Sequence, residues 1–202
     1  MNTLHAVDER DLDPEPLRQF ERWFDEARKA GVEAPEAMAL ATATPGGAPS
    51  VRMVLLKAVD ERGFAFHTSY ESRKGGELAA NPRAALLFYW QPLGRQVRVE
   101  GRVEQLAAAE SEAYFRTRPH GSRLAAWASP QSRPIAGRDE LERLYADAEE
   151  RFPDDVPLPP QWGGFRVVPD AYEFWQRGEN RLHDRVRYER DGGGWTRMRL
   201  AP

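Results

Sequence analysis

The run Ala84-Ala85-Leu86-Leu87-Phe88-Tyr89-Trp90 constrains the fold most, because no other stretch of the chain is as hydrophobic. Bounded by Asn81-Pro82 and by Gln91-Pro92-Leu93-Gly94, it reads as a central strand. The turn leads into Arg95-Gln96-Val97-Arg98-Val99-Glu100-Gly101, which alternates with period two and reads as a half-exposed neighbouring strand. A sheet is therefore the expected frame.

Other strands join it. Segments 38–44 and 49–57 flank the turn Pro45-Gly46-Gly47 as a hairpin, and 63–69 follows as a third strand. The C-terminal part returns to strands at 164–168, 172–176, 182–189 and 195–200, the last two joined by Asp191-Gly192-Gly193-Gly194. Helices lie between. Pro14-Glu15-Pro16 opens one whose apolar face is Leu17, Phe20, Trp23, Phe24 and Ala27, with Gly31 as its stop. A short helix spans 77–80. Two more, 107–118 and 122–128, are broken by Pro119-His120-Gly121, and 138–151 is a surface helix rich in i,i+4 charge pairs. Residues 153–160 form a proline-rich linker. Residues 1–13 read as a flexible arm and 14–202 as one domain. Short strands and tight turns favour an α+β fold: a mostly antiparallel barrel with helices outside.

With 202 residues the chain is long enough for a substantial core, and its net charge of −3 does not suggest a nucleic-acid binder. There is no cysteine, which excludes disulfides, thiolate metal sites and cysteine nucleophiles. The four histidines (His5, His67, His120, His183) are dispersed, so no metal site is expected. No GxGxxG and no nucleophile elbow is present. No signal-peptide pattern and no membrane-length apolar run is found, so a cytoplasmic protein without membrane contact is expected.

The positive charge is local instead. Arg52-Met53-Val54-Leu55-Leu56-Lys57 reads as a buried strand with a cation at each end, which suggests one wall of a site for a phosphorylated cofactor. A spacing of five puts Arg52 and Lys57 on opposite faces, so one ligand must span the strand end or the strand must bulge. Arg73 and Lys74 follow Ser72 where a helix begins, a place that favours an anion. Tyr114 and Arg118 share a helix face, and Ser122 opens the next helix; together they suit a phosphate. Arg181, His183 and Arg185 share one face of the expected strand, flanked by Trp175 and Gln176. Gln96, Gln131 and Ser132 add amide and hydroxyl groups. Each segment taken alone also fits ordinary surface: a solvated loop, a capped helix, an exposed edge strand.

Taken together the segments resemble the pyridoxamine (pyridoxine) 5′-phosphate oxidase family. The resemblance runs from about Pro14 to Pro202. It is carried by Arg52 to Lys57, Ser72-Arg73-Lys74, Asn81-Pro82-Arg83-Ala84, Arg95-Gln96-Val97, the block 111–121, Gln131-Ser132, Trp162-Gly163-Gly164, Glu173-Phe174-Trp175-Gln176, Arg181-Leu182-His183-Asp184-Arg185 and Arg199-Leu200-Ala201-Pro202. It implies a split β-barrel homodimer with FMN at the subunit interface. It implies that Arg52, Met53, Val54, Leu55, Leu56, Lys57, His67, Thr68, Arg73, Lys74, Gln96, Gln131, Ser132, Trp175 and Arg185 hold FMN. Lys57, Tyr114, Arg118, Ser122, Arg181 and His183 would receive pyridoxamine 5′-phosphate or pyridoxine 5′-phosphate, and Arg181 and His183 would be catalytic. The substrate would give a hydride to the flavin, dioxygen would reoxidise it, and pyridoxal 5′-phosphate and hydrogen peroxide would result. A same-fold FMN oxidase acting on another substrate such as a phenazine precursor, or a non-catalytic flavin or pyridoxal-phosphate binder, is the alternative. The chain departs from the family pattern in its N-terminal arm, which lacks a tyrosine. It also departs at His67, where Tyr or Phe is frequent, and at Arg123, where Gln is frequent and a changed substrate pocket is expected.

Overall fold

The computed structural model describes residues 7–202, and the expected central strand lies at the heart of its sheet. Nine strands form it: β1 (Ala37–Ala43), β2 (Pro49–Leu55), β3 (Ala58–Asp60), β4 (Gly63–Ser69), β5 (Arg83–Trp90), β6 (Arg95–Gln105), β7 (Trp162–Gln176), β8 (Asp184–Asp191) and β9 (Gly194–Arg199). The hydrogen-bonded order is β2-β1-β5-β6-β7-β4-β3, with β8 on β7 and β9 on β8, and every pairing is antiparallel. The two ends of that path, β2 and β3, are joined by only Leu56 and Lys57. The sheet must therefore curl until its ends meet, as a barrel does. The amide of Lys57 donates to the carbonyl of Ala65 at 2.8 Å and ties that joint to β4.

Five α-helices surround the sheet: α1 (Pro16–Lys29), α2 (Arg73–Ala80), α3 (Ala108–Thr117), α4 (His120–Ala128) and α5 (Arg138–Arg151). Pro16 opens α1, and its periodic apolar face is buried as the spacing predicts. The ring of Phe20 lies 4.8 Å from Phe64 and 5.0 Å from Phe88, while Trp23 meets Phe174 edge-on at 5.3 Å. Each fully buried ring of this kind contributes about 2–3 kcal/mol of transfer free energy. A second cluster (Phe115, Leu124, Ala128, Ala148, Val156, Trp162) holds α3, α4 and α5 together.

Several expectations change. The two strands read at 164–168 and 172–176 are one fifteen-residue strand, because Asp170 forms a bulge beside Pro169 that carries the ladder past the proline. α2 begins at Arg73 rather than 77, since Ser72 caps it by accepting from the amide of Gly75. β2 is not buried: it is an edge strand on which Val51, Met53 and Leu55 are exposed, and Leu56, beyond its end, is the member of the run that enters the core. β8 begins only at Asp184, so Arg181 and His183 precede it and the one-face stripe does not form. Residues 1–6 of the expected arm lie outside the described residues. Over 7–13 the chain is tied down: the Val7 amide donates to Asp184, Arg199 and Arg197 donate to the carbonyls of Val7 and Leu12, and Tyr188 donates to that of Asp13.

Candidate functional site: a cationic cleft and a second group on the outer face

A cleft of about 550 Å³ opens where β2 hands over to β3. Arg52, Met53, Val54, Leu55, Lys57, His67, Thr68, Lys74, Tyr114, Arg118, Ser122 and Gln131 all line it, joined by Thr117, Pro119 and Trp162. The strand-parity difficulty between Arg52 and Lys57 disappears because β2 ends at Leu55. Lys57 belongs to the joint and is free of the strand's alternation.

The cleft has two cationic ends. At one, Arg52 leans back on β1 and donates to the Leu40 carbonyl (3.2 Å) and to Thr42 Oγ1 (2.5 Å). Behind it lies Glu77, a buried carboxylate that accepts from Ser50 (2.6 Å), Thr42 (2.5 Å) and Arg73 (2.9 Å). Hydrogen bonds from Ser50 and Thr42, then Arg73, push the Glu77 carboxyl down to about 2. Lys74, in the first turn of α2, is buried and donates to three neutral oxygens: Thr68 Oγ1 (3.0 Å), Gln131 Oε1 (2.8 Å) and Ser72 Oγ (3.3 Å). Burial, then the nearby Arg52 guanidinium, lowers Lys74 to about 8. A buried ammonium beside a guanidinium and a helix N-terminus is an arrangement that an anion relieves. Gly75 permits the close start of α2, since a Cβ there would lie 2.1 Å from the Tyr70 carbonyl oxygen.

At the other end stand Tyr114 from α3, Arg118 in extended backbone just past its end, so that the two do not share a helix face, and Ser122 from the first turn of α4. The Arg118 guanidinium lies 4.7 Å above the Trp162 ring, and its Nη1 is buried without a partner among the described residues. Between the two ends, His67 stacks on Tyr114 at 4.1 Å and lies 5.3 Å from Trp162. Both of its ring nitrogens are buried and unpartnered among the described residues. Burial, then Arg118 and Lys57, pushes His67 down to about 4, so it is neutral at pH 7. Unfilled buried donors of this kind fit an anionic, hydrogen-bonding guest with a flat face.

Gln96, Trp175 and Arg185 form a second group that shares no lining residue with the cleft. They occupy one rung across β6, β7 and β8, beside Glu173 and a depression of about 180 Å³. Glu173 is buried and grips Arg185 through two hydrogen bonds of 3.0 and 3.1 Å. His183 adjoins this group with its ring 4.7 Å from Trp175, while Arg181 is exposed in a tight turn before β8. Three named residues stand apart from both groups: Leu56 is in the core, Arg73 turns to Glu77, and Ser132 is exposed with φ +71°. Arg123 does not reach the cleft either. It pairs with Asp155 at 3.0 Å in a separate groove.

Glu77 and Glu173 escaped sequence reading. Both lie within apolar or small-residue stretches, and only their burial beside arginines marks them. No cluster of His, Asp and Glu suited to a metal occurs among the described residues, and no described helix is long and apolar enough to cross a membrane.

The family model described as pyridoxamine 5′-phosphate oxidase matches residues 24–151, and the one described as pyridoxine 5′-phosphate oxidase C-terminal dimerisation region matches 162–202. A pyridoxine/pyridoxamine 5′-phosphate oxidase of Rubrobacter xylanophilus is 60% identical over 201 residues, covering 99% of this chain and 93% of that protein. One from Cupriavidus taiwanensis is 57% identical over 200 residues, covering 98% and 94%. Among solved structures, PhzG from Burkholderia lata, in complex with tetrahydrophenazine-1-carboxylic acid, superposes with a TM-score of 0.93 at 34% identity over all of both chains. A pyridoxamine 5′-phosphate oxidase-related, FMN-binding protein of Nostoc punctiforme shares the fold, with a TM-score of 0.74 at 20% identity over 95% of this chain and 100% of that one. On the full-length matches and the curled antiparallel sheet together, this chain belongs to the pyridoxamine 5′-phosphate oxidase family.

Proposed function

We propose that this chain, as a homodimer, oxidises pyridoxamine 5′-phosphate and pyridoxine 5′-phosphate to pyridoxal 5′-phosphate. FMN would supply the chemistry when bound, accepting a hydride from the substrate and passing the electrons to dioxygen, which gives hydrogen peroxide. The observation that carries this reading is the pair of cationic ends in one cleft, since a phosphorylated flavin and a phosphorylated substrate need two anion cradles. Arg52 and Lys74, with Thr68 and Gln131 behind them, suit the cofactor phosphate. Tyr114, Arg118 and Ser122 suit the substrate phosphate, with Lys57 between the two.

The dimer has its own support. On the rung Met53–Ala39–Leu87–Arg98–Glu173, paired side chains share one face of the sheet. On that outer face Val51, Met53, Leu55, Leu87 and Tyr89 are exposed, and the half-buried Gln96, Trp175 and Arg185 lie on it too. Two such faces meeting across a two-fold axis would bury the apolar rows. They would also lay one subunit's second group, with Arg181 and His183, against the other subunit's cleft. Those residues then orient the substrate and exclude water. The alcohol substrate loses a hydride and a hydroxyl proton. The amine loses a hydride and an N–H proton, and hydrolysis of the resulting imine releases ammonia.

The structural likeness to PhzG favours a second reading, oxidation of a phenazine precursor. A carboxylate uses fewer hydrogen-bond donors than a phosphate does, so the three donors of Tyr114, Arg118 and Ser122 weigh against it. The test is the visible spectrum of the purified protein under nitrogen. A bound flavin that bleaches with pyridoxine 5′-phosphate, but not with pyridoxine, supports the proposal; bleaching by both alike, or by neither, rejects it. Peroxide release on admitting air then identifies the acceptor.

A further inference from the structure

The segment 177–183 is built around one contact. The amide of Gly178 donates to Nδ1 of His183 at 3.1 Å. A ring nitrogen that accepts a hydrogen bond carries its lone pair, so the proton of the neutral imidazole is on Nε2. We propose that Gly178 is a positioning residue that fixes His183 in the Nε2–H tautomer, so that His183 meets the substrate as a hydrogen-bond donor and does not take its departing proton. This rests on the reading that His183 faces the substrate across the dimer.

The backbone leaves little room for another arrangement. A Cβ on Gly178 would lie 1.9 Å from the Leu182 carbonyl oxygen, so no other residue fits without moving that loop. The turn closes through the Leu182 amide on the Glu179 carbonyl (2.8 Å). Asn180 and Arg181 are both left-handed, with φ +50° and +65°, a conformation that L-residues rarely adopt twice in succession. Strain of this kind gathers where a side chain must be aimed. The ring of Trp175, tilted 48° to His183 at 4.7 Å, limits the imidazole from another side.

The adjacent carboxylate, Asp184, does not orient the His183 ring. Asp184 is occupied by the Val7 amide at 2.9 Å and by Arg199 at 2.6 Å. With Nδ1 held by an amide proton and Nε2 already protonated, the neutral ring has no free lone pair. The group facing Nε2 must therefore be an acceptor on the substrate. The proton released with hydride transfer goes to solvent or to a group other than His183.

The test uses the flavin-loaded protein labelled with ¹⁵N-histidine. The sequence has four histidines, and the His183 signals are identified by their loss in a His183 variant. The expected result is an unprotonated Nδ1 and a protonated Nε2 in the neutral ring; a protonated Nδ1, or an averaged mixture of tautomers, overturns the inference. Turnover gives a second measure. His183→Ala should lose about tenfold for a missing hydrogen bond. His183→Gln, whose amide reaches the position of Nε2, should recover most of that loss, and His183→Asn, which reaches only the position of Nδ1, should not. A proton acceptor would instead leave Gln as impaired as Ala, each by about a hundredfold or more. If His183→Ala turns over like wild type with flavin bound, the placement of His183 at the substrate fails, whatever tautomer is seen.

Discussion

Glu77 determines how Arg52 is presented to the cleft. Its side chain is 5% exposed and receives Ser50, Thr42 and Arg73, with Arg52 Nη2 at 3.4 Å. Glu77→Ala leaves a half-buried guanidinium and two hydroxyls without their acceptor. Unfolding in urea should show a loss of about 3 kcal/mol. Lys74 gives a pH prediction. In the ligand-free chain it loses its proton near 8. Above that pH, anion binding must bring a proton back, so FMN affinity should fall by up to about tenfold per pH unit. Fluorescence titration of apoprotein with FMN between pH 7 and 10 measures this, and Lys74→Met should flatten the profile. His67 acts on stability with the sign of a depressed group. The unfolded chain binds its proton near the ordinary histidine value of 6.5 and the folded chain only near 4. Stability should fall as pH drops from 6.5 toward 4, and His67→Phe should remove that component from the melting temperature.

At the scale of elements, β7 carries the argument. The bulge at Asp170 needs a close backbone approach from β6, and Gly101 supplies it: a Cβ there would lie 2.1 Å from the Val168 carbonyl oxygen. Gly101→Ala should cost about 3 kcal/mol in chemical denaturation, as an overpacked site does. The same bulge explains why the sequence reads as two strands, since Pro169 is a breaker by every local rule and only the partner strand absorbs it. Elements with one dominant period were legible from residues alone, α1 from Phe20, Trp23, Phe24 and Ala27, and α5 in full. Segment 181–183 was not, because its period-two pattern mimics a strand while left-handed Asn180 and Arg181 form a turn. The cleft was legible as a set of cations. Its arrangement was not, since Arg73 and Lys74 are neighbours in sequence and turn to different partners, Glu77 and Gln131.

For the whole molecule, the exposed row Val51, Met53 and Leu55 is the feature that a lone subunit does not explain. Met53 is 65% exposed at the centre of it. Met53→Asp should give a monomer by light scattering and, in the same preparation, a reduced flavin-to-protein absorbance ratio. A monomer that kept full flavin would separate assembly from cofactor binding. One strand links the cleft of a subunit to its second group on the outer face. β7 begins at Trp162 under Arg118 and ends past Trp175, so at about 3.3 Å per residue it acts as a ruler of roughly 40 Å between them. In the proposed dimer a two-fold pair of such rulers would fix the spacing between the two reaction centres as well. Lengthening β7 by even two residues would keep every side chain on its face, yet carry each subunit's contribution out of its neighbour's reach. In the proposed dimer the length of that strand would be a shared dimension that both copies must keep together.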